Sequence, residues 1–509
     1  MTKYQSLISK FTNEELEIIA QLKRFFERVH CDRELMDASA QNNISPGQLD
    51  RLKKTGITLD LSGFPLASED QQNAMLYLMT ASGKVENEFD DEVKQFAEKY
   101  PLLKLWGKYL AINSEERKRT IQNKKDGGVS FNAKFDAWRK RRITAAKSEL
   151  GFYSMQISHP AFAYELSEGC SVGCWFCSFA PHKLTGVLDY DNRRGNVQRI
   201  IKYCIDIFGK ETAGNALPYY RTEPHDNPGY IQFLQDFEEL TGSVVCTSTA
   251  VCGDIDWLRD LMDYYRRGDI RYNWPRLSIL SLSMMDKVHE AFTPIELLDI
   301  ELLVQAKDNV RPKVTSGHIL EEHTGLRDME DFTDKDNIGY VPRGSIVCVS
   351  GFNINLLTNT IMLFSPCYTT KEWPHGFRVY GQATYNDESD FPEVIKRLID
   401  ETMFLAPPKD KLIRFRDDIV FRPTEEGFDL ATPNQLHHFK GKDKYGPLGL
   451  MVSSGEYTCG ELVMELTKKQ KTNPLILRAI IQSLFDDGFL DEIYSQAVCD
   501  LNITKEMDF

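Results

Sequence analysis

Three cysteines that could bind a metal lie between residues 168 and 180 of the 509-residue chain, in a loop that also holds two glycines. Cys170, Cys174 and Cys177 have the spacing C-x3-C-x2-C, which suits a soft metal ion or an iron–sulfur cluster. A tetrahedral zinc site would need a fourth ligand, for which His182 is the nearby candidate. A [4Fe–4S] cluster held by three cysteines instead keeps one iron open, so that a small molecule can bind there.

The elements that must position this loop are short β-rich runs that alternate with helical patterns over residues 151–400. Such alternation predicts βα units around a parallel sheet, with the first strand at residues 161–166, just before the cysteines. Six or seven units without a glycine-rich dinucleotide turn favour an α/β fold of the partial (β/α)6 TIM-like barrel type over a Rossmann sheet. In such barrels the reacting groups lie at the carboxyl ends of the strands.

Polar side chains follow several of these predicted strands, so we expect them to face the cysteine loop. Hydroxyl groups at such positions can form hydrogen bonds with a bound ligand, and a carboxylate can accept a charge-assisted hydrogen bond from a cationic group. For each serine and threonine, a helix cap or a turn is the alternative role. The residues concerned are Thr222, Glu223, Ser281 and Ser283.

Cys367 is distinguished from the other cysteines by its predicted position. It follows an apolar strand at residues 359–364 and a proline turn, which would place its thiol on the same carboxyl-end edge as the cysteine loop. A thiol there can give a hydrogen atom to a carbon radical, because its S–H bond is weaker than the C–H bond that forms. The other cysteines outside the loop have no C-x2-C or C-x4-C spacing, which disfavours a second cluster.

Helix signals flank the predicted barrel on both sides. A capping box at Thr12 and Glu15 opens a helical N-terminal domain at residues 1–150. Residues 401–509 contain two helices after a turn, which predicts a winged-helix-like domain. Other expected elements are a helix at residues 293–307, a strand at residues 345–353, a loop at residues 434–444, a strand at residues 449–452, a helix after a capping box at residues 458–461 and a helix from residue 473 to residue 488.

Composition and charge exclude several classes of function. The formal net charge of −14 disfavours nucleic-acid binding, which needs a basic surface. No apolar run is long enough to span a membrane, and the N-terminus has no signal-peptide pattern. Eleven cysteines without paired spacing fit a reducing compartment. We therefore expect a cytoplasmic protein that binds neither nucleic acid nor membrane.

The cysteine spacing, with the aromatic Phe176 before the third cysteine, resembles the signature of the radical S-adenosylmethionine (SAM) enzymes. The resemblance implies that the three loop cysteines hold one [4Fe–4S] cluster, whose open iron chelates SAM, and that reductive cleavage releases a 5′-deoxyadenosyl radical. It also implies that Thr222 and Glu223 contact the amino group of SAM, although these enzymes usually carry Gly-Gly-Glu where this chain has Arg-Thr-Glu. The implied SAM contacts are Phe176, Thr222, Glu223, Ser281 and Ser283.

Three segments resemble, more narrowly, the proteusin-type peptide epimerases. They are the cysteine loop, the run Tyr-Arg-Thr-Glu-Pro-His-Asp-Asn-Pro ending at Pro228, and the Ser-Pro-Cys sequence ending at Cys367, and the resemblance covers residues 150–390. It implies that the radical removes a Cα hydrogen from an L-residue of a precursor peptide and that Cys367 returns a hydrogen to the other face. Cys348 is the second candidate donor. The implied partners are a leader-bearing precursor peptide and a reductant of flavodoxin or ferredoxin type.

Two other functions stay open at the level of sequence. The first is a radical SAM enzyme that crosslinks or dehydrogenates a peptide, in which Cys367 would be structural. The second is a zinc-stabilised peptide-binding protein in which the thiolates serve only folding. The C-terminal domain is similar to winged-helix modules that bind leader peptides by adding a strand to a sheet edge, and a purely structural role is its alternative.

Overall fold

A computed structural model of the chain describes residues 9–41, 43–61, 98–125, 129–267, 275–308, 314–324 and 344–494. This part of the chain forms a mixed α/β fold, as predicted, with helices and several small sheets. The chain divides into two compact units, each built from segments that are distant in sequence. The first is Met1–Asn123, Glu223–Gln235 and Val244–Arg311, and the second is Lys124–Thr222, Asp236–Ser243 and Pro312–Phe509. The domain boundaries at residues 150 and 400 stay a prediction.

The helices and strands of the described residues are numbered in chain order. The helices are α1 (Asn13–Cys31), α2 (Arg33–Ala40), α3 (Pro46–Lys54), α4 (Pro101–Lys125), α5 (Ala133–Leu150), α6 (Tyr190–Phe208), α7 (Lys210–Gly214), α8 (Tyr230–Thr241), α9 (Ile255–Arg266), α10 (Leu282–Ala291), α11 (His318–Thr324), α12 (Phe391–Thr402), α13 (Lys442–Ser454), α14 (Cys459–Gln470) and α15 (Pro474–Asp486). The strands are β1 (Phe162–Glu165), β2 (Ser167–Glu168), β3 (Gly186–Val187), β4 (Ala216–Leu217), β5 (Thr247–Thr249), β6 (Pro275–Ile279), β7 (Glu301–Val304), β8 (Gly351–Asn355), β9 (Thr360–Pro366), β10 (Phe377–Thr384), β11 (Val420–Thr424), β12 (Gly427–Ala431) and β13 (Leu436–Lys440).

The largest sheet belongs to the second unit and has the strand order β10-β9-β8-β1-β4. β1 runs parallel to both β4 and β8, with Phe162 opposite Ala216 on one side and Phe352 on the other. β9 runs antiparallel to β8, and β10 runs antiparallel to β9. The carboxyl ends of β1, β4 and β8 therefore lie at one edge of the sheet, whereas β9 ends at the opposite edge.

Side chains alternate between the two faces of this sheet. On one face, Phe162 and Phe352 pack against Phe135 of α5 and Phe208 of α6, with ring centroids between 5.1 and 6.2 Å apart. Ala163 points to the other face and belongs to an apolar cluster that we call the inner cluster. Its buried members are Ala163, Leu217, Tyr220, Val347, Val349, Met362, Phe364, Cys367, Trp373, Phe377 and Val379.

The first unit contains a parallel sheet of order β5-β6-β7. Leu277 of β6 lies opposite Leu302 of β7, and both share a core with Leu258 of α9, Val288 of α10 and Cys31 of α1. The described strands of the chain lie in separate sheets and form no closed barrel.

Two predictions for the central part of the chain are wrong. The helix expected at residues 293–307 is a 3-10 turn followed by β7, because Leu302 is buried against β6 although the capping box at Thr293 does form. The strand expected at residues 345–353 begins only at Gly351, so Cys348 precedes β8 instead of lying on a strand. Within the predicted N-terminal domain, residues 62–97 lie outside the described part of the chain.

The C-terminal part of the second unit has its own core, to which the antiparallel sheet β11-β12-β13 and helices α13 to α15 contribute. Thr458 and Glu461 form the predicted capping box at the start of α14. Asn473 caps α15 through the backbone N–H of Leu475, 2.9 Å away. Both of these helices were predicted.

Two shorter elements of the same part differ from prediction. The strand expected at residues 449–452 is part of α13, where Leu448 and Val452 are both buried one turn apart. The loop expected at residues 434–444 contains β13, because Phe439 packs into the core from that strand.

Candidate functional site

The cysteine loop begins where the prediction placed it, after the carboxyl end of β1. Glu168 of β2 pairs with Gly186 of β3, and the Cys170 N–H donates to the His182 carbonyl oxygen at 3.0 Å, so the two ends of the loop are joined. Gly169 has φ +81°, and a Cβ at that position would collide with the carbonyl oxygens of His182 and Lys183. Only glycine fits at this close approach.

The second half of the loop is held by backbone and histidine contacts. The Cys177 N–H donates to the Cys174 carbonyl oxygen at 3.0 Å, which closes a tight turn. His318 donates its backbone N–H to Cys177 O at 3.0 Å and its Nδ1–H to Cys174 O at 2.9 Å. Burial lowers the pKa of His375 to about 4, so its neutral ring donates from Nδ1 to Ser178 O at 3.0 Å.

The three thiols are half-buried, and none is in a disulfide. Burial raises the pKa of Cys177 to about 11, and the backbone N–H groups of Phe179 and Ala180, which donate to its sulfur, act in the opposite direction. Such donors stabilise a thiolate or a metal-bound sulfur. In the described parts of the chain, however, no three His, Cys, Asp or Glu side chains are grouped as a metal site. The types of donor atom fit an iron–sulfur cluster, and the cluster itself stays a prediction.

Phe176, the predicted aromatic contact of SAM, lies on the same loop between the second and third cysteines. It is half-buried, and its ring meets that of Trp175 edge to face with centroids 5.8 Å apart. Thr222 is half-buried in the bend that follows β4 and is the last residue of a segment of the second unit. Contact of either residue with SAM stays a prediction.

Glu223 is buried in the first unit, where its carboxylate has several local donors. It accepts hydrogen bonds from the backbone N–H groups of Ala250 at 2.9 Å and His225 at 3.2 Å, and from the Thr249 hydroxyl at the end of β5. Burial raises the pKa of Glu223 to about 7, and these three donors only partly oppose the shift. A buried carboxyl group with such a pKa is typical of a functional site.

Ser281 and Ser283 lie at the start of α10, also in the first unit. Ser281 is the N-cap, because its Oγ accepts a hydrogen bond from the Met284 N–H at 3.3 Å. Ser283 lies in the first turn of the helix, with its Oγ 3.2 Å from Ser281 Oγ. The strand before these serines, β6, ends at Ile279, so the structure gives Ser281 the alternative role of a helix cap.

Cys367 does not lie on the predicted edge of the sheet. It follows β9, which runs antiparallel to β8, so it lies at the edge where β1 and β8 begin rather than where they end. Its side chain is fully buried in the inner cluster, and its N–H donates to the Gly376 carbonyl oxygen at 2.9 Å. Burial raises the pKa of this thiol well above its usual value. Phe179, two residues after the last loop cysteine, packs against the same cluster.

A polar group beneath the loop was missed by the sequence analysis. Glu165 ends β1 and accepts hydrogen bonds from Asn353 Nδ2 and Asn355 Nδ2 of β8, each at 2.8 Å. Burial raises the pKa of Glu165, and the Arg221 guanidinium, with Nε 3.9 Å away, opposes the shift. The signal in the sequence is the alternation Phe-Asn-Ile-Asn at residues 352–355, which places two amides on one face of a buried strand.

Comparisons with known proteins show a similarity over almost the full length of the chain. No family model matches the chain. No solved structure matches it. The chain is similar to the protein named "Uncharacterized protein y4wI" of Sinorhizobium fredii (strain NBRC 101917 / NGR234), with 28% identity over 498 residues that cover 96% of this chain and 90% of the relative. The name of that relative states no activity, so a function for this chain has to be argued from its own residues.

Proposed function

We propose that this protein is a radical SAM peptide epimerase, which converts L-residues of a ribosomally made precursor peptide into D-residues. The observation that carries the proposal is the cysteine loop after β1, which backbone bonds hold in shape and which directs N–H donors to the sulfur of Cys177. We also propose that the fold is a partial (β/α)6 barrel. Each unit contains three mutually parallel strands, which supports this part of the proposal.

In this proposal Cys170, Cys174 and Cys177 hold one [4Fe–4S] cluster. When bound, the cluster and SAM supply a 5′-deoxyadenosyl radical, which can take a hydrogen atom from carbon. Glu223 suits the ammonium group of SAM, because a cation beside a buried carboxyl group with a pKa of about 7 favours its ionised form. The other residues proposed to contact SAM are Phe176, Thr222, Ser281 and Ser283.

The role proposed for Cys367 is to donate a hydrogen atom to a planar Cα radical. A donor must keep its S–H bond, and burial in the inner cluster keeps this thiol protonated at neutral pH. Delivery to the face opposite to the one that lost hydrogen inverts the centre. Each turnover leaves a sulfur radical, and one electron and one proton restore the thiol. A reductant of flavodoxin or ferredoxin type would supply the electron.

The proposed partner of the C-terminal core is the leader part of the precursor peptide. Its sheet ends at β13 on one side, and β13 carries alternately exposed residues, among them Leu436 at 48% exposure. A strand edge of this kind can bind an extended peptide through backbone hydrogen bonds. The winged-helix-like assignment belongs to this part of the proposal.

The cluster is tested by anaerobic reconstitution with iron and sulfide. We expect a brown protein that cleaves SAM, and loss of both properties in Cys170→Ala, Cys174→Ala and Cys177→Ala. Cys459→Ala is the matched control, because Cys459 is also half-buried but lies at the start of α14. A protein that binds zinc through the loop cysteines and leaves SAM intact would refute the proposal in favour of a zinc-stabilised peptide-binding protein.

Epimerisation is tested by running the reaction in D2O. Because a thiol exchanges its hydrogen with solvent, each inverted Cα should carry one deuterium, which mass spectrometry detects. Cys367→Ala should still cleave SAM but form no D-residue, whereas Cys348→Ala should form D-residues normally. A D-residue without deuterium, or normal inversion by Cys367→Ala, would contradict the assigned donor.

A radical SAM enzyme that crosslinks or dehydrogenates its peptide is the second candidate, and two observations favour it. Cys367 has no exposed surface, and it lies at the sheet edge opposite to the carboxyl end of β1. Both suit a cysteine that packs as a small core residue. In that case the product would lose hydrogen without gaining deuterium. Cys367→Ala would keep full activity when it is assayed under conditions in which it is as fully folded as wild type.

A further inference from the structure

Two buried polar atoms on the inner side of the large sheet have no hydrogen-bond partner among the residues that the structure describes. They are Oδ1 of Asn353 and the hydroxyl oxygen of Tyr220, and the two residues are 4% and 3% exposed. A buried donor or acceptor without a partner is costly, so each such atom calls for an explanation. Asn355 shows the contrast, because its Nδ2 donates to Glu165 and its Oδ1 accepts from the N–H groups of Leu357 and Thr358.

Register places both atoms on the same side of the sheet. Asn353 lies opposite Ala163 of β1 and Met362 of β9. Directly opposite residues share a face, and Ala163, Met362 and Tyr220 all belong to the inner cluster. The Tyr220 ring packs there between Phe179 and Phe364, with centroids 4.2 and 5.0 Å away.

The hydrogen bonds around Asn353 decide what each atom can bind. The Nδ2 of Asn353 donates to the Glu165 carboxylate. The ionised carboxylate has no proton to donate to Oδ1, so Oδ1 remains available as an acceptor for another group. The Tyr220 hydroxyl can donate. The Asn353 amide and the Tyr220 hydroxyl are both uncharged at neutral pH. The charged neighbours Glu165 and Arg221 face each other, with Arg221 Nε 3.9 Å from the Glu165 carboxylate. The side chain of Arg221 is 35% exposed, so the Glu165–Arg221 pair reaches solvent on the arginine side.

We propose that Asn353 and Tyr220 bind a backbone amide of the peptide substrate, with the amide N–H donating to Asn353 Oδ1 and the Tyr220 hydroxyl donating to the amide carbonyl. An amide carries one donor and one acceptor and no charge, which matches this pair. A carboxylate has no donor for Asn353, and an ammonium group has no acceptor for Tyr220. The inference rests on the proposed function only in taking the substrate to be a peptide.

The test measures binding of a single peptide unit, N-acetyl-L-alanine N-methylamide, to the full-length chain by ligand-observed NMR, both before and after iron–sulfur reconstitution. We expect wild type to bind the probe and Tyr220→Phe to weaken binding at least tenfold. Tyr220→Phe removes only a hydroxyl without a protein partner, so the fold should be retained. Asn353→Ala should weaken binding similarly, with circular dichroism to check its fold.

Tyr385→Phe is the matched control, because Tyr385 is also a buried tyrosine of the second unit whose hydroxyl has no partner, but its ring packs on Phe391 of α12. It should bind the probe like wild type. A fully N-methylated probe without N–H groups should bind at least tenfold more weakly to wild type. The inference is overturned if wild type does not bind the probe either before or after reconstitution, or if Tyr220→Phe binds it as tightly as wild type. It is also overturned if Tyr385→Phe loses as much affinity for the probe as Tyr220→Phe.

This outcome is separable from that of the proposed function. Probe binding to the protein before reconstitution requires neither iron nor SAM. If the protein cleaves SAM and does not bind the probe, the amide site fails and the radical chemistry stands. If it binds the probe through Tyr220 and takes up no iron, the amide site stands and the radical chemistry fails.

Discussion

At the scale of single residues, burial acts in the same direction on two thiols for which we propose different roles. Burial raises the pKa of both Cys177 and Cys367, and the backbone N–H groups of Phe179 and Ala180 donate to the sulfur of Cys177. A cluster ligand must lose its proton and a hydrogen-atom donor must keep it. The environments of these two cysteines therefore fit the two different roles that we propose for them.

His289 should make the stability of the protein sensitive to acid. Burial, with Arg24 and Arg28 nearby, lowers its pKa to about 4, although Glu27 acts in the opposite direction. The folded state therefore binds fewer protons than the unfolded state between the unfolded pKa of about 6.5 and a pH of about 4. Stability from this residue is complete above that range and is lost as the pH falls, by roughly 3 kcal/mol of unfolding free energy at pH 4.

Urea denaturation of wild type and His289→Gln from pH 7 to pH 4 measures this effect. The variant should show a shallower loss of unfolding free energy with acid. His438→Gln is the matched control, because His438 is exposed on β13, and it should follow wild type. Equal pH dependence in His289→Gln and wild type would show that another group is responsible.

At the scale of elements, backbone conformation holds the cysteine loop. Gly317 and Gly173 both have positive φ, of +52° and +61°. A Cβ at Gly317 would collide with the carbonyl oxygens of Cys177 and Ser178, whereas a Cβ at Gly173 would meet nothing within 4 Å. The two glycines therefore differ in steric cost at a similar conformational cost.

Gly317→Ala should destabilise the protein far more than Gly173→Ala. The left-handed backbone alone costs an alanine about 1–2 kcal/mol, and this is the whole expected loss for Gly173→Ala. Gly317→Ala must also displace the loop, so we expect a larger loss and a lower iron content after reconstitution. Thermal denaturation and iron analysis measure the two effects, and equal losses in both variants would contradict the close packing of Gly317.

Substitution of Ser281 separates its capping role from contact with SAM. As the N-cap of α10, Ser281→Ala should cost about 1 kcal/mol of unfolding free energy, and Ser281→Asp should cost little because aspartate also caps. If Ser281 only caps, Ser281→Asp keeps the SAM affinity of wild type. A large loss of SAM affinity in a stably folded Ser281→Asp would instead support a direct contact. Denaturation and SAM titration provide the two measurements.

At the scale of the whole molecule, a buried charge group joins the C-terminal part of the second unit to α5. Glu492 is fully buried and accepts from Arg141 Nε at 2.9 Å and from the Arg142 guanidinium, and Tyr380 accepts from Arg142 at 2.7 Å. The C-terminal core therefore contacts the rest of its unit through charges as well as apolar side chains.

Glu492→Gln should destabilise the second unit by about 3–5 kcal/mol, because two buried guanidinium groups lose their counter-charge. Glu461→Gln is the control, since glutamine can replace glutamate in a capping box, and it should change stability by less than about 0.5 kcal/mol. Chemical denaturation measures both. A neutral Glu492→Gln would show that the two arginines find other partners or solvent.

The residues that sequence alone determined are those whose partners lie within a few positions. The capping boxes at Thr12 and Thr458, the cap at Asn473 and the glycines of the cysteine loop depend on local backbone geometry, so their residue types predict them. The same holds for the position of the loop after β1, because a buried apolar run followed by glycines ends a strand.

Only the tertiary structure decided which distant residues meet. β9 runs antiparallel to β8 and so carries Cys367 to the edge opposite the predicted one, and β7 replaces a helix because Leu302 pairs with a buried strand. Glu165 and Asn353 are 188 positions apart and meet because β1 and β8 are neighbours. Strand direction and pairing depend on hydrogen bonds and burial between remote segments, which periodicity within one segment does not encode.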